Sequence, residues 1–536
     1  MESCIVAHVE IPVSLFNDVI GPVMRGPSSS HCAAALRIGR LARDLMDGDL
    51  EEVLVEYDTH GSLATTHVSQ GSDMGLFGGL MGWAAIDERL PDADRIIRET
   101  GIRIHIRTAE LHDPHPNTYH LTVSNARDRH AITAISKGGG MIEVTNLDGI
   151  SLSIAGDYWE TLIYLAGGAE TRCCLSQVIA ADHVLLHETS GGQLIQIKAQ
   201  RWLEDTELCE LSGQPSVRSV KRLSPVLPIL SRKDISVPFA TCAEMLGPDE
   251  NQKIPLWELA VRYESRRANL TPEDIVGRMT EIVRIVRSSI KQGIRGTAYP
   301  DRILGHQCGA FRQRMETGRL LDAGIVNRIV LYVTALMEVK SAMGVIVASP
   351  TAGACAALPG ACLATTDALQ LTDEDAARAL LAGGIIGVLI AARSTFAAEV
   401  AGCQAECGAG SGMAAAALAT LAGADTAQAV AAASMALQNS LGMVCDPVAN
   451  RVEVPCLGKN VMAATNALAC ANMALADYDP VIPLDEVIEA MDQVGRSLPR
   501  ELRCTALGGL SVTRTSRQIE DRLARGLDGH RDTKAH

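Results

Sequence analysis

From about residue 236 onward the sequence carries no strand pattern: alanine-rich stretches with helical spacing follow one another, broken at Pro300, Pro350, Pro359, Pro447, Pro455 and Pro499. More than half of the 536 residues must therefore build a core from helices alone. Hydrophobic residues make up 47% of the chain but aromatics only 3%, so that core has to be made of Ala, Leu, Val, Ile and Met. Small side chains let helices approach closely, and residues 233–536 are expected to form one all-helical domain, larger than most single cores.

The first half reads differently. A helical pattern after Ser30 is followed by strand patterns at "EEVLVEYD", "IRIHIRT", "YHLTVSNA" and "MIEVTNL", which predicts an α/β unit over 1–155. Between them and the helical half, 156–232 alternates as β-α-β-β-α-β, with helices at "TRCCLSQVIAA" and "DTELCELSGQ", the order of a ferredoxin-like module. The expected fold class is a multidomain α+β chain.

A formal net charge of −15 argues against a nucleic-acid or anionic-membrane surface. The opening "MESCIVAHVEIPVSLF" lacks the basic stretch and apolar core of a signal peptide, and the longest apolar run, 379–392, is short for a membrane span. A cytoplasmic protein is expected, in which fifteen cysteines serve as buried small hydrophobes, metal ligands or reactive thiols rather than as disulfides.

Two stretches carry chemistry. In "GPSSSHCAAALRIGR" (26–40), Ser28, Ser29, Ser30 and His31 stand directly before an amphipathic helix. One serine there is explained by capping; three of them entered through Gly-Pro bring hydroxyls and free N–H groups to the positive end of a helix, which suits a carboxylate. In "AGCQAECGAGSGMAAAA" and "MVCDPVANRVEVPCLGKN", Cys445 and Cys456 lie on Pro-interrupted loops, and Gly402, Pro447 and Pro455 would let the backbone turn thiols toward one point. Spacing alone leaves core packing, iron–sulfur and zinc open.

The motifs "GCQAE", "CDPVANRVEVPC" and "ALGGL" together resemble the α part of the iron–sulfur-dependent L-serine dehydratases, and "GPVMRGPSSSHCAAALRIGR" resembles their β part. "HPNT" (115–118), "SKGGGMIEV" (136–144), "SPTAGACAALPG" (349–360) and "GLSVTRT" extend the likeness over nearly the whole chain. The resemblance implies a β–ACT–α fusion, with the ACT-like module at the ferredoxin-like segment. It implies a [4Fe-4S] cluster on Cys403, Cys445 and Cys456 with one iron open to substrate, no pyridoxal phosphate, and elimination of water from L-serine or a close β-hydroxy amino acid to give a 2-oxo acid and ammonia. By the same carry-over Ser28, Ser29, Ser30, His31, Gly138, Gly139, Gly140, Thr351 and Gly353 line the substrate pocket, in a protein expected to be a homodimer.

The chain also departs from that pattern. "HVSQGSD" (67–73) puts Gln70 where the resemblance would have a candidate histidine base, leaving His31 or His67 as the catalytic imidazole, since glutamine takes no proton at neutral pH. "RILGHQCG" (302–309) and "STFAAEVAGCQAE" introduce Arg302, His306 and Glu399, which together would suit a more polar substrate. Cys407 is an optional extra ligand, and Cys504, well before the last residue, is not expected to act as a tail thiolate. The alternatives are an L-cysteine desulfidase, a dehydratase of a more polar β-substituted amino acid, and a cluster-bearing amino-acid sensor without turnover.

Overall fold

The computed structural model describes residues 11–166, 181–189, 192–204, 206–207, 217–247 and 253–533, with side chains described as far as 525. It is a mixed α+β chain with sheets in the first half and helices in the second.

The first sheet has six strands, β1 (Glu52–Asp58), β2 (Arg103–Ala109), β3 (Thr118–Ser124), β4 (Arg129–Gly138), β5 (Met141–Leu147) and β6 (Ile150–Ile154). They lie in the order β2-β1-β3-β4-β5-β6, antiparallel except for the β1–β2 pair. Alternation decides which face is covered: Tyr119, Leu121 and Val123 of β3 and Val53, Val55 and Tyr57 of β1 point into one core with helices α1 (Ala34–Leu45) and α2 (Ser72–Leu80). The two helices touch backbone to backbone. A Cβ on Gly79 would collide with the Leu36 carbonyl oxygen, and one on Gly39 would sit 2.5 Å from that of Leu76.

A second, wholly antiparallel sheet follows, built from β7 (Trp159–Leu165), β8 (His183–Thr189), β9 (Gly192–Ala199) and β10 (Val217–Leu223) in the order β10-β7-β9-β8. The two helices expected between these strands, at 171–181 and 205–214, fall almost entirely outside the described residues.

The helical half packs α3 (Leu256–Ala268), α4 (Pro272–Arg295), α5 (Ile325–Ser341), α6 (Ala357–Ala368), α7 (Asp373–Ala391), α8 (Cys407–Leu421), α9 (Thr426–Gln438), α10 (Cys456–Leu475) and α11 (Leu484–Ser497) around one core. Helix α7 holds the long apolar run and is buried along nearly its whole length from Ala376 on, so that run is a central core helix. Among the described residues no helix is long and apolar enough to cross a membrane.

Two features were not legible as separate units. Leu15, Phe16, Val19, Ile20 and Met24 insert into the helical core, where Asn17 exchanges hydrogen bonds with the backbone of Ile229 (2.7 and 3.0 Å) and Ser14 donates to the buried Glu264 (2.7 Å). The helical half is also not free of strand: Ile346–Val347 pairs antiparallel with Val23–Met24. The loop leading to Ser349 thus finds backbone partners in the start of the chain, a long-range pairing that no local pattern announces.

Candidate functional site

The cysteine loops are drawn together by backbone contacts. Gly402 has φ +72°, and a Cβ there would lie 2.6 Å from Leu498 Cδ1 and 2.8 Å from the Met443 carbonyl oxygen. That close approach lets Gln404 N donate to Met443 O (3.0 Å) while Gln404 Oε1 accepts from Gly442 N (2.8 Å), pinning 402–404 against 442–445. Cys445 in turn bridges to the C-terminal loop, its N–H donating to Leu502 O (2.8 Å) and its carbonyl accepting from Cys504 N (3.0 Å). Cys456 follows Pro455 as the first residue of α10.

The sulfurs of Cys403 and Cys445 and a carboxylate oxygen of Glu406 lie within 4.8 Å of one another. Cys504 packs against the Cys403 and Cys445 pair, although its place in the sequence gave no reason to assign it there, and all four cysteines are buried. The neighbouring Cys403 and Cys504 thiols, and burial, push the Cys445 thiol well above its ordinary value. Burial, and then Cys403, push Cys456 up, opposed by the ammonium groups of Lys340 and Lys459. Lys340 is fully buried and donates to Val452 O; Lys459 donates to Asp446 Oδ1 (3.0 Å). Soft sulfur donors in a dry pocket with two cations beside them fit an iron–sulfur group, since coordination displaces thiol protons outright and the cations offset the negative charge of the thiolates.

Thr351 and Gly353 shape the carboxylate next to the cysteines. Thr351 Oγ1 donates to Glu406 Oε1 (2.6 Å), and a Cβ on Gly353 would come within 2.9 Å of the same oxygen. Asn460 ties this loop to α10, accepting from Ala356 and Ala357 N–H and donating to the carbonyls of Gly353 (2.8 Å) and Cys456 (2.9 Å).

The serine stretch meets these loops from the other half. Ser28 stands in extended conformation before a wide helical turn, Ser29–Ala33, that runs into α1, and its hydroxyl does not cap the helix. It lies 3.0 Å from His31 Nδ1. Thr66 Oγ1 donates to Ser62 O (2.7 Å) and therefore accepts from His31 Nε2 (2.8 Å), which fixes the proton on Nε2 and leaves Nδ1 with the lone pair toward Ser28. Burial lowers the His31 pKa to about 3, so the ring is neutral. Ser29 Oγ accepts from Ala352 N (3.1 Å), joining the turn to the Thr351 loop.

Glu399, buried, places Oε1 3.5 Å from His31 Nδ1, while its Oε2 has no hydrogen-bond partner. Burial, and then the Glu406 charge, raise its pKa to about 7, against the Asn117 amide, which draws it down. That amide faces Glu399 without reaching hydrogen-bond geometry: both Asn117 side-chain polar atoms and the buried Ser136 hydroxyl lack partners.

The remaining predicted residues are distributed around this centre. His67 lies beside His31 but its Nδ1 is tied to Asp73 at 2.9 Å. Gly138, Gly139 and Gly140 all have positive φ at the β4–β5 turn, and a Cβ on Gly138 would stand 2.8 Å from Ala397 N, so the turn seats directly on the N-cap of the short helix Ala398–Ala401 that carries Glu399. Gln70 faces the cysteine side, its Nε2 3.1 Å from Asn450 Oδ1 and 3.4 Å from Cys504 Sγ. Arg302 and His306 do not join Glu399: the former is held by Thr297 and the latter by Glu338 (2.8 Å). Cys407 sits among Ala354, Ala357 and Ala463. Asn117, Ser136, Glu406 and Cys504 were missed as site residues. The first three lay inside motifs already singled out, and the signal available was a polar side chain in a stretch otherwise built for burial.

The family described as "Serine dehydratase alpha chain" matches residues 251–511. The "Probable L-serine dehydratase, alpha chain" of Bacillus subtilis is 35% identical over 295 residues, 55% of this chain and 98% of that protein. The "Probable L-serine dehydratase, beta chain" of the same organism is 36% identical over 214 residues, 39% of this chain and 96% of that protein. "L-serine dehydratase 2" of Escherichia coli is 27% identical over 501 residues, 91% of this chain and 96% of that protein. The chain belongs to the L-serine dehydratase family.

Proposed function

We propose that this protein is an L-serine ammonia-lyase, converting L-serine to pyruvate and ammonia with a [4Fe-4S] cluster held by Cys403, Cys445 and Cys456. The observation that carries the reading is that the Ser28–His31 turn of one half and the cysteine loops of the other meet at one buried place, bridged by the Ser29–Ala352 and His31–Glu399 contacts. The relatives named L-serine dehydratase support the substrate. The organisation as 1–155, an ACT-type module over 156–232 and a cluster-bearing 233–536 is supported by relatives that exist as separate alpha and beta chains and by the order of the second sheet.

When bound, the cluster supplies a Lewis-acidic iron that polarises the substrate's carboxylate and β-hydroxyl. The chain's own residues do the rest. The N–H groups of Ser28, Ser29 and Ser30 and the hydroxyls of Ser29 and Ser30 take the carboxylate at the turn that runs into α1. Thr351 and Gly353 set the adjoining wall through Glu406, and Gly138, Gly139 and Gly140 close the opposite wall and keep water out. His31 is the imidazole that faces the substrate, with His67 behind it, anchored on Asp73. Loss of the Cα proton and the β-hydroxyl gives aminoacrylate, which tautomerises to the imine, and hydrolysis of the imine consumes the released water.

The test is anaerobic turnover by iron-loaded protein, read as pyruvate and ammonia, together with iron content and the visible absorption spectrum. Zinc in place of iron, sulfide release from L-cysteine in preference to pyruvate from L-serine, or ligand binding without ammonia would each overturn the reading.

A further inference from the structure

One buried acid in this site has no cation to answer it. Among the described residues the only ion-pair contact of Glu399 is His31, and burial keeps that ring neutral, its Nε2 proton donated to Thr66 and its Nδ1 lone pair facing the Ser28 hydroxyl. A lone pair beside a carboxylate does nothing to stabilise it, and the second oxygen, Oε2, has no partner at hydrogen-bond geometry. A desolvated carboxyl in that position must hold a proton or receive one from a ligand.

Its place says which proton. Glu399 Oε1 and Ser28 Oγ stand 3.5 and 3.0 Å from the same nitrogen, so the carboxyl borders the turn assigned above to the substrate carboxylate. The atom bonded to that carboxylate is Cα. The Gly138 turn packs closely against Ala397, two residues before Glu399, and the orphaned amide of Asn117 faces the carboxyl from the sheet.

We propose that Glu399 is the base that takes the Cα proton; the assignment rests on the ammonia-lyase reading of the same site. The Cα–H bond breaks and its electron pair becomes the Cα=Cβ bond. The Cβ–O pair leaves with the hydroxyl, and the proton held by Glu399 is handed to that hydroxyl to complete water. A carboxyl poised near pH 7 by burial suits both the taking and the giving.

The experiment compares iron-loaded wild type with Glu399→Gln on L-serine. Expected are a kcat lower by about 100-fold or more with KM changed less than about threefold, loss of the acid limb of the kcat–pH profile, and unchanged iron content and absorption spectrum. A kcat within about tenfold of wild type, or a loss confined to KM as an ammonium anchor would give, overturns the proposal while leaving the ammonia-lyase reading intact. If wild type releases no pyruvate from L-serine, that reading fails, and the base is judged by exchange of the Cα hydrogen of L-alanine in deuterated water, which needs no leaving group. Exchange by wild type but not by Glu399→Gln supports the assignment; exchange by both, or by neither, overturns it.

Discussion

At Cys445 the chain commits three contacts at once: a backbone bridge to Cys504, and thiol neighbours in Cys403 and Cys504. Cys445→Ala is therefore expected to abolish iron retention and activity together. Cys470→Ala, on the inner face of α10 and bonded only within the α9–α10 contact, is expected to keep both, as read by iron assay and absorption spectrum. Glu399 makes a second residue-scale prediction, about stability. Its folded-state pKa stands near 7, above the ordinary 4.5, so the folded protein keeps a proton that the unfolded chain has released. The associated stability is intact below about pH 4.5 and is lost as the pH rises through 7. Glu399→Gln should accordingly be more stable than wild type by up to about 3 kcal/mol near pH 8 and close to wild type near pH 4, in urea unfolding of metal-free protein. The serine stretch was legible at this scale as a polar helix entry; what the sequence did not yield is that Ser28 serves a histidine instead of the helix.

At the scale of elements, the helices of the second half were legible because their ends carry local chemistry: Thr271, Thr372 and Asp425 each form a capping box, satisfying first-turn N–H groups within four residues of sequence. The loops between them were not, because their conformations depend on close approaches. Gly402 is the sharpest case, and Gly402→Ala is expected to cost about 1–3 kcal/mol and to weaken iron retention by displacing Cys403 from the Met443 segment, measured by denaturant midpoint and iron content. Gly79→Ala, in the α1–α2 contact, should cost a similar amount, about 1–3 kcal/mol, but change substrate affinity rather than iron content, since it tilts the helix into which the Ser28–His31 turn runs.

For the whole molecule the decisive feature is a seam. Asn450, at φ +55°, donates to Thr65 O (2.7 Å) and accepts from Gln70, and Ser62 donates to Cys504 O (3.1 Å), so the first half lies directly on the cysteine loops. Asn450→Ala removes both bonds and leaves the Gln70 amide short of a partner; a loss of about 1–3 kcal/mol and a raised KM for L-serine are expected, with iron content retained because no cysteine moves. The sequence by itself determined the helical second half, the strands of the first, the cysteine loops and the serine-rich helix entry, since each depends on periodicity, caps or residue type within a few positions. Only the tertiary structure decided that the chain start belongs to the helical core, that Cys504 joins Cys403 and Cys445, that Arg302 and His306 stand apart from Glu399, and that Glu399 faces His31 with one oxygen unpartnered. Those placements span tens to hundreds of residues, fixed by packing and by the pairing of buried polar groups, and no local pattern encodes them.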